Sequence, residues 1–184
     1  MISRPVTIHR IPKYERLQRM AERYPSLGLD PTALEAYLML LGVGGEVSAA
    51  VGTNLARYGL GQGRFMVLGL LLEHQPQPLS HSELADLSGV TKGNVTGLVD
   101  GLERDGYVKR QDSGSDRRVT PIALTPAGRR LIEKILPDHF GRVAGLMDEF
   151  SASERKTLVS LLTKVQAGIP ALKRWPVRER DGER

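Results

Sequence analysis

Cysteine is missing from this chain. Its absence excludes disulfides, thiolate metal sites and thiol redox sensing, and it agrees with a cytoplasmic setting. Histidine is scarce as well. His9, His74, His81 and His139 are scattered without helical or paired-ligand spacing, so no metal site is expected, although His74 and His81 could meet across the loop between them. Aromatic residues make up 5% of the sequence, and the one tryptophan, Trp175, falls in the basic C-terminal stretch, so it offers no pocket signature. Long hydrophobic runs are lacking too. AYLMLLGVGG and FMVLGLLL each stop short of the roughly 18 residues of a membrane span and read as buried helices, so no membrane partner is expected. Residues 1–16, MISRPVTIHRIPKYER, place charges and prolines where a signal peptide needs an apolar run, and no secretion signal is visible. The chain also lacks a phosphate-binding glycine fingerprint after a strand and any recognisable nucleophile–base arrangement, which argues against an enzyme and against a cofactor.

What is present is a chain of 184 residues, 40% apolar and 26% charged, long enough to bury a core of its own or to share one with a second copy. A net charge of +5 suits an anionic partner such as nucleic acid. Part of that charge lies in KRWPVRERDGER, where Glu179, Asp181 and Glu183 interrupt the arginines. Residues 171–184 therefore read as a flexible, solvated basic tail rather than a binding arm.

Helical patterns with clear stop signals fill the rest. An N-terminal extension, residues 1–30, carries KYERLQRMAERY, in which Tyr14, Leu17, Met20 and Tyr24 share one stripe, so an accessory helix is expected to dock there. Asp30 and Pro31 supply a cap and a first-turn proline for a long apolar helix over 31–58, with Gly59 as its stop. A further helix is expected over 62–74. Ser80 and Glu83 have capping-box spacing, Gly89 ends that short helix, and Thr91 caps the next, which stops at Gly106. YVKR and RRVTPIAL then flank the polar QDSGSD, the pattern of a hairpin, and Pro121 should confine its strand to an edge. Thr125 and Pro126 open a long helix with a stripe from Leu131 through Ile135 and Val143 to Phe150, Ser151 and Glu154 start a last one, and the two fill 126–170. Such a helix exceeds what a small domain can cover by itself.

Ala85, Gly89, Val95 and Leu98 supply a small residue at a helix crossing, a turn glycine, and apolar residues where the second helix packs on the first. That is a helix-turn-helix. With a hairpin directly after it, residues 59–125 read as a winged helix-turn-helix whose second helix fits a DNA major groove. The expected fold is mainly α with a small β-hairpin wing (α+β). In TKGNVTGLVDGLERDG, Gly93, Gly97 and Gly101 stand opposite the stripe of Val95, Leu98, Val99 and Leu102 and should face outward. Each costs a helix about 0.5–1 kcal/mol relative to alanine. Two readings stand: the glycines let backbone approach the bases closely, or they are merely tolerated.

DSGSDRRVTPIALTPAG, with GRFMVLGLL, LADLSGV, GLVDGLERDGYVKR and FSASERKTLVSLL, resembles the MarR family of bacterial transcription regulators over about residues 32–169. The resemblance implies a homodimer built from the first long helix and the last two, bound to double-stranded DNA at a pseudo-palindromic site, usually as a repressor. It also implies that Arg118 enters the minor groove, oriented by Asp116, with Arg117 adjacent. The expected DNA-binding set is Ser80, Ser82, Thr91, Lys92, Asn94, Val95, Thr96, Arg104, Lys109, Arg110, Asp116, Arg117 and Arg118. Family members commonly carry a basic residue near Gly97 or Gly101, and this chain has glycine at both, which shifts phosphate anchoring toward Lys92, Asn94, Arg104 and the wing. The resemblance further implies release by a small aromatic or phenolic effector, in a pocket lined by Tyr37, Leu41, Arg64, Met66 and Leu68. Arg64 could meet an effector carboxylate there or stand in solvent as a first-turn residue. The alternative function is a winged-helix adaptor for protein partners with incidental DNA affinity.

Overall fold

The computed structural model describes residues 14–111 and 120–174. Those residues fall into two compact units divided between Glu133 and Lys134. The first holds α1 (Tyr14–Arg23), a 3-10 turn (Pro25–Leu27), α2 (Pro31–Ala56), α3 (Gln62–Glu73), α4 (His81–Ser88), α5 (Lys92–Arg104), β1 (Val108–Arg110) and β2 (Ile122–Leu124). It also takes in the opening turns of α6 (Pro126–Met147), and the second unit holds the rest of α6 with α7 (Ala152–Arg174).

Local chemistry sets most of the element ends. Asp30 accepts hydrogen bonds from the Thr32 and Ala33 amides at 2.9 and 3.2 Å, and Pro31 occupies the first turn of α2. At α4 the capping box closes both ways: the Glu83 amide donates to Ser80 Oγ at 3.2 Å, and the Ser80 amide donates to Glu83 Oε2 at 2.7 Å. Gly89 takes the left-handed φ of 69° that turns the chain, its N–H donating to the Ala85 carbonyl at 2.9 Å. Thr91 then caps α5, accepting from the Asn94 amide at 3.4 Å.

The wing strands pair antiparallel, with Val108 opposite Leu124 and Arg110 opposite Ile122. One expectation fails here: β2 is not an edge. Leu79 bridges its other side, the Leu79 amide donating to the Ile122 carbonyl at 3.0 Å and the Ile122 amide to the Leu79 carbonyl at 2.8 Å. Pro121 does not interfere because it lies one residue before β2 and only accepts, from the Gln111 amide at 2.8 Å.

The core of the first unit gathers Leu55 from α2, Leu68 and Leu71 from α3, Leu84 from α4, Val95, Val99 and Leu102 from α5, and Val108 and Ile122 from the strands, all fully buried or nearly so. Burial of each such side chain contributes about 1.5–3 kcal/mol. Outside this nucleus the helices are barer. Along α2 only Gly42 and Leu55 are buried, while Tyr37, Leu41 and Val43 stay nearly half exposed. This corrects the reading of AYLMLLGVGG as a short buried run: it lies within one 26-residue helix, with Glu35 and Glu46 as its only charges, which by length and composition is apolar enough to cross a membrane. Helix α1 packs on α2 through Leu17, which is buried, while Tyr14, Met20 and Tyr24 of the same stripe are exposed.

In the second unit, α6 continues through Pro137, and α7 opens on a second capping box, the Glu154 amide donating to Ser151 Oγ at 3.2 Å. Arg155 donates to the Phe150 carbonyl at 2.6 Å and closes the turn between them. Helix α7 runs past residue 170 to Arg174.

Candidate nucleic-acid interface

Helix α5 has two faces because its apolar residues recur at helical spacing. Val95, Val99 and Leu102 are fully buried. Thr91, Lys92, Gly93, Asn94, Thr96 and Gly97 are exposed around its N-terminal turns, where free backbone N–H groups and the helix dipole favour phosphate. Val95 thus leaves the expected DNA-binding set, because its side chain is fully buried in the core. Thr96 Oγ1 donates to the Lys92 carbonyl at 3.0 Å, which keeps its side chain close to the helix.

The glycines divide. A methyl added at Gly93 or Gly97 would meet nothing within 4 Å, so the outer surface there is as low as the sequence suggests. Gly101 is buried instead, because the Arg64 guanidinium from α3 lies across it and would overlap a methyl at that position. Arg64 Nη1 ends on Asp105 Oδ2 at 2.7 Å. The glycine at 101 therefore faces α3, not solvent.

The rest of the expected set is spread around this helix. Ser80 is committed as the α4 cap, and Ser82 is half-buried in the same first turn. Arg104 is 76% exposed, with Nε 4.0 Å from Asp105 Oδ1. Lys109 is exposed on β1. Its neighbour Arg110, on the alternate side of the strand, turns onto α5 and donates to Asp100 and Glu103, while the Arg110 amide donates to Glu103 Oε1 at 3.2 Å. Hydrogen bonding to Asp100, joined by the charge of Glu103, raises the pKa of this guanidinium. Arg110 thus braces the wing on the helix through Nη1 and Nη2. Asp116, Arg117 and Arg118 lie outside the described residues.

The residues of the expected effector set differ in their surroundings. Leu68 is fully buried, Arg64 pairs with Asp105, Met66 is half-buried, and Tyr37 and Leu41 are exposed on α2. A cleft of about 950 Å³ lies elsewhere, between α1 and α2, lined by Arg16, Leu17, Arg19, Met20, Tyr24 and Leu38 among others. Among the described residues, no group of three His, Asp or Glu side chains is placed to hold a metal ion.

Two features escaped the sequence reading. The Arg64–Asp105 pair joins residues 41 apart, and no local pattern announces it. The Arg110 brace was more accessible, since GLERDGYVKR sets acids and a base on either side of a tight turn.

This arrangement of capped helix pair, exposed polar face and braced hairpin has clear counterparts. A model of the MarR family matches residues 58–119, from just after α2 to just before β2. The HTH-type transcriptional repressor YetL of Bacillus subtilis is 36% identical over 152 residues, covering 83% of this chain and 90% of YetL. The chain belongs to the MarR family. As a MarR-family protein it is a DNA-binding transcriptional regulator and not an enzyme. The crystal structure of CouR from Rhodococcus jostii RHA1, bound to p-coumaroyl-CoA, is 30% identical with a TM-score of 0.60, covering 73% of this chain and 90% of CouR. The S. aureus MepR–DNA complex shares the fold at 22% identity, with a TM-score of 0.66 over 72% of this chain and 95% of that one.

Proposed function

We propose that this MarR-family regulator is a cytoplasmic repressor that binds a pseudo-palindromic duplex as a homodimer, with α5 in the major groove and the wing in the minor groove. The observation that carries this reading is the low polar face of α5. Lys92, Asn94 and Thr96 surround the bare positions Gly93 and Gly97, opposite a fully buried apolar face. Such a surface lets short side chains and backbone reach base edges and phosphates. By the family resemblance, Arg118 enters the minor groove beside Asp116 and Arg117, and the exposed Lys109 and Arg104 add phosphate contacts.

The homodimer is supported by apolar side chains left in solvent on the long helices, Tyr37 and Leu41 on α2, Phe140 on α6, Leu161 and Leu162 on α7, since a surface of that kind marks an interface. A two-fold pair would set its recognition helices about 34 Å apart, one turn of DNA. The effector is a small aromatic or phenolic compound. The p-coumaroyl-CoA bound to CouR carries a phenolic acyl group, and Tyr37, Leu41 and Met66 keep surface available for a phenolic ring here.

Fluorescence anisotropy on the duplex upstream of the protein's own gene, against a scrambled duplex across a salt series, tests the core of this reading. The upstream site should win by about 10³-fold or more, with a negative log–log salt slope. Changing Arg118 to Ala should remove about 1–3 kcal/mol of that specific binding. Equal affinity for both duplexes, or an unchanged Arg118→Ala variant, would sink the assignment.

A further inference from the structure

Three consecutive residues open α3, and between them they reach α2 and α5. The Gln62 side-chain Nε2 donates to the Ser48 carbonyl of α2 and stands 3.2 Å from Ser48 Oγ. Gly63 receives a side chain of α5: a methyl built there would lie 2.9 Å from Leu98 Cδ2. Arg64 returns the contact, its guanidinium seated on Gly101 and its Nη1 on Asp105 at 2.7 Å. The two helices thus exchange seats, a leucine of α5 over a glycine of α3 and an arginine of α3 over a glycine of α5. The same tripeptide holds α2.

We infer that Arg64 is a positioning residue for DNA recognition, fixing the recognition helix on α3 through the bare backbone of Gly101 and the carboxylate of Asp105 without touching DNA. This rests on α5 being the recognition helix. Stability alone does not explain the arrangement. The Arg64 side chain is a quarter exposed and Asp105 more so, and ion pairs near solvent contribute little to folding. Glycine inside a helix is itself unfavourable. What the pair does fix is rotation and translation of α5, because a rigid planar guanidinium held both against Gly101 and on the Asp105 carboxylate ties two points of the helix at once. Base contacts depend on placement of that order. It also accounts for glycine at a position whose outward-facing role the structure removes.

The test uses the full chain, its Arg64→Ala, Gly101→Ala and double variants, and a duplex selected by the parent chain from a random library. Gly101→Ala should fold at least as well as the parent, because the displaced group is the mobile end of an arginine and alanine favours helix. Each single change should weaken specific binding about tenfold. In the double variant the second change should add nothing, since Gly101→Ala acts only by evicting Arg64. The salt slope of Arg64→Ala should equal the parent's, as no phosphate contact is lost. Additive losses in the double variant, a shallower slope for Arg64→Ala, or equal binding by all four chains would overturn the inference. Failure of the parent to select any duplex would overturn the recognition reading itself, and this inference with it.

Discussion

Helices α5 and α7 carry comparable apolar stripes, and the stripes meet different fates. Val95, Val99 and Leu102 of α5 vanish into a nucleus shared with α3, α4 and the wing strands, whereas Leu161, Leu162 and Val165 of α7 remain about half exposed in a single chain. Periodicity tells that a face must be covered and is silent on what covers it. For α5 the cover comes from the same chain, within a region closed by two capping interactions, a turn glycine and a pair of interlocked helices. For α7, as for α2, the cover is proposed to be a second copy.

The largest expected effects separate these two kinds of face by concentration. Leu102→Ala leaves a cavity in a fully buried site and should lower unfolding stability by about 3 kcal/mol, measured by urea denaturation, with the same loss at every protein concentration. Leu161→Ala should instead act through assembly: little change in dilute protein, and a growing loss of midpoint relative to the parent as concentration rises, because only the dimer has that surface to lose. Equal, concentration-independent behaviour of Leu161→Ala and the parent would remove α7 from the interface.

Glycines sharpen the comparison at a smaller scale. At Gly128, in the first turns of α6, a methyl would overlap the Tyr107 carbonyl oxygen, a backbone atom that also accepts the Thr125 amide at 3.0 Å. Gly128→Ala should therefore cost about 1–3 kcal/mol. Gly97→Ala meets open space and should raise stability by about 0.5–1 kcal/mol, while weakening operator binding because the added methyl holds the helix off the bases. Anisotropy beside thermal melts reads both effects. A Gly97→Ala chain that is more stable and binds unchanged would mean that this glycine is tolerated rather than used.

How far the sequence foretold these features follows from the range of the forces involved. Caps and turns were legible because Ser80 with Glu83, Gly89, Thr91 and Asp30 act within four residues of themselves. The helix-turn-helix and hairpin followed from them. Gly101 was misjudged since helical geometry places it away from the stripe, and only the tertiary position of Arg64, 37 residues earlier by the numbering, brings a guanidinium over it. Val95 was assigned to DNA although it belongs to the buried stripe. The edge assignment for β2 failed for a similar reason, as Leu79 lies 43 residues before Ile122. Long-range pairings of single residues leave no periodic trace.

The smallest expected effect probes the seam where α4, the wing and α5 meet. His81 sits in the first turn of α4 with Nε2 buried and without a hydrogen-bond partner. Burial first, and the nearby Arg110 charge second, push its pKa below the ordinary 6.5, while Asp100 and Glu103 act in the opposite direction. Because the folded chain resists this proton and the unfolded chain takes it up near 6.5, the stability associated with neutral His81 is present above 6.5 and is lost as pH falls through the depressed folded value. Melting temperature should therefore decline on acidification from pH 7 before the capping carboxylate of Glu83, held below 4.5 by its hydrogen bonds from Ser80, begins to titrate. His81→Gln should flatten that first decline and leave the later one in place. An identical slope in parent and variant would show that the ring is solvated when charged, and that the brace of Arg110 on Asp100 and Glu103 holds the seam without regard to its protonation.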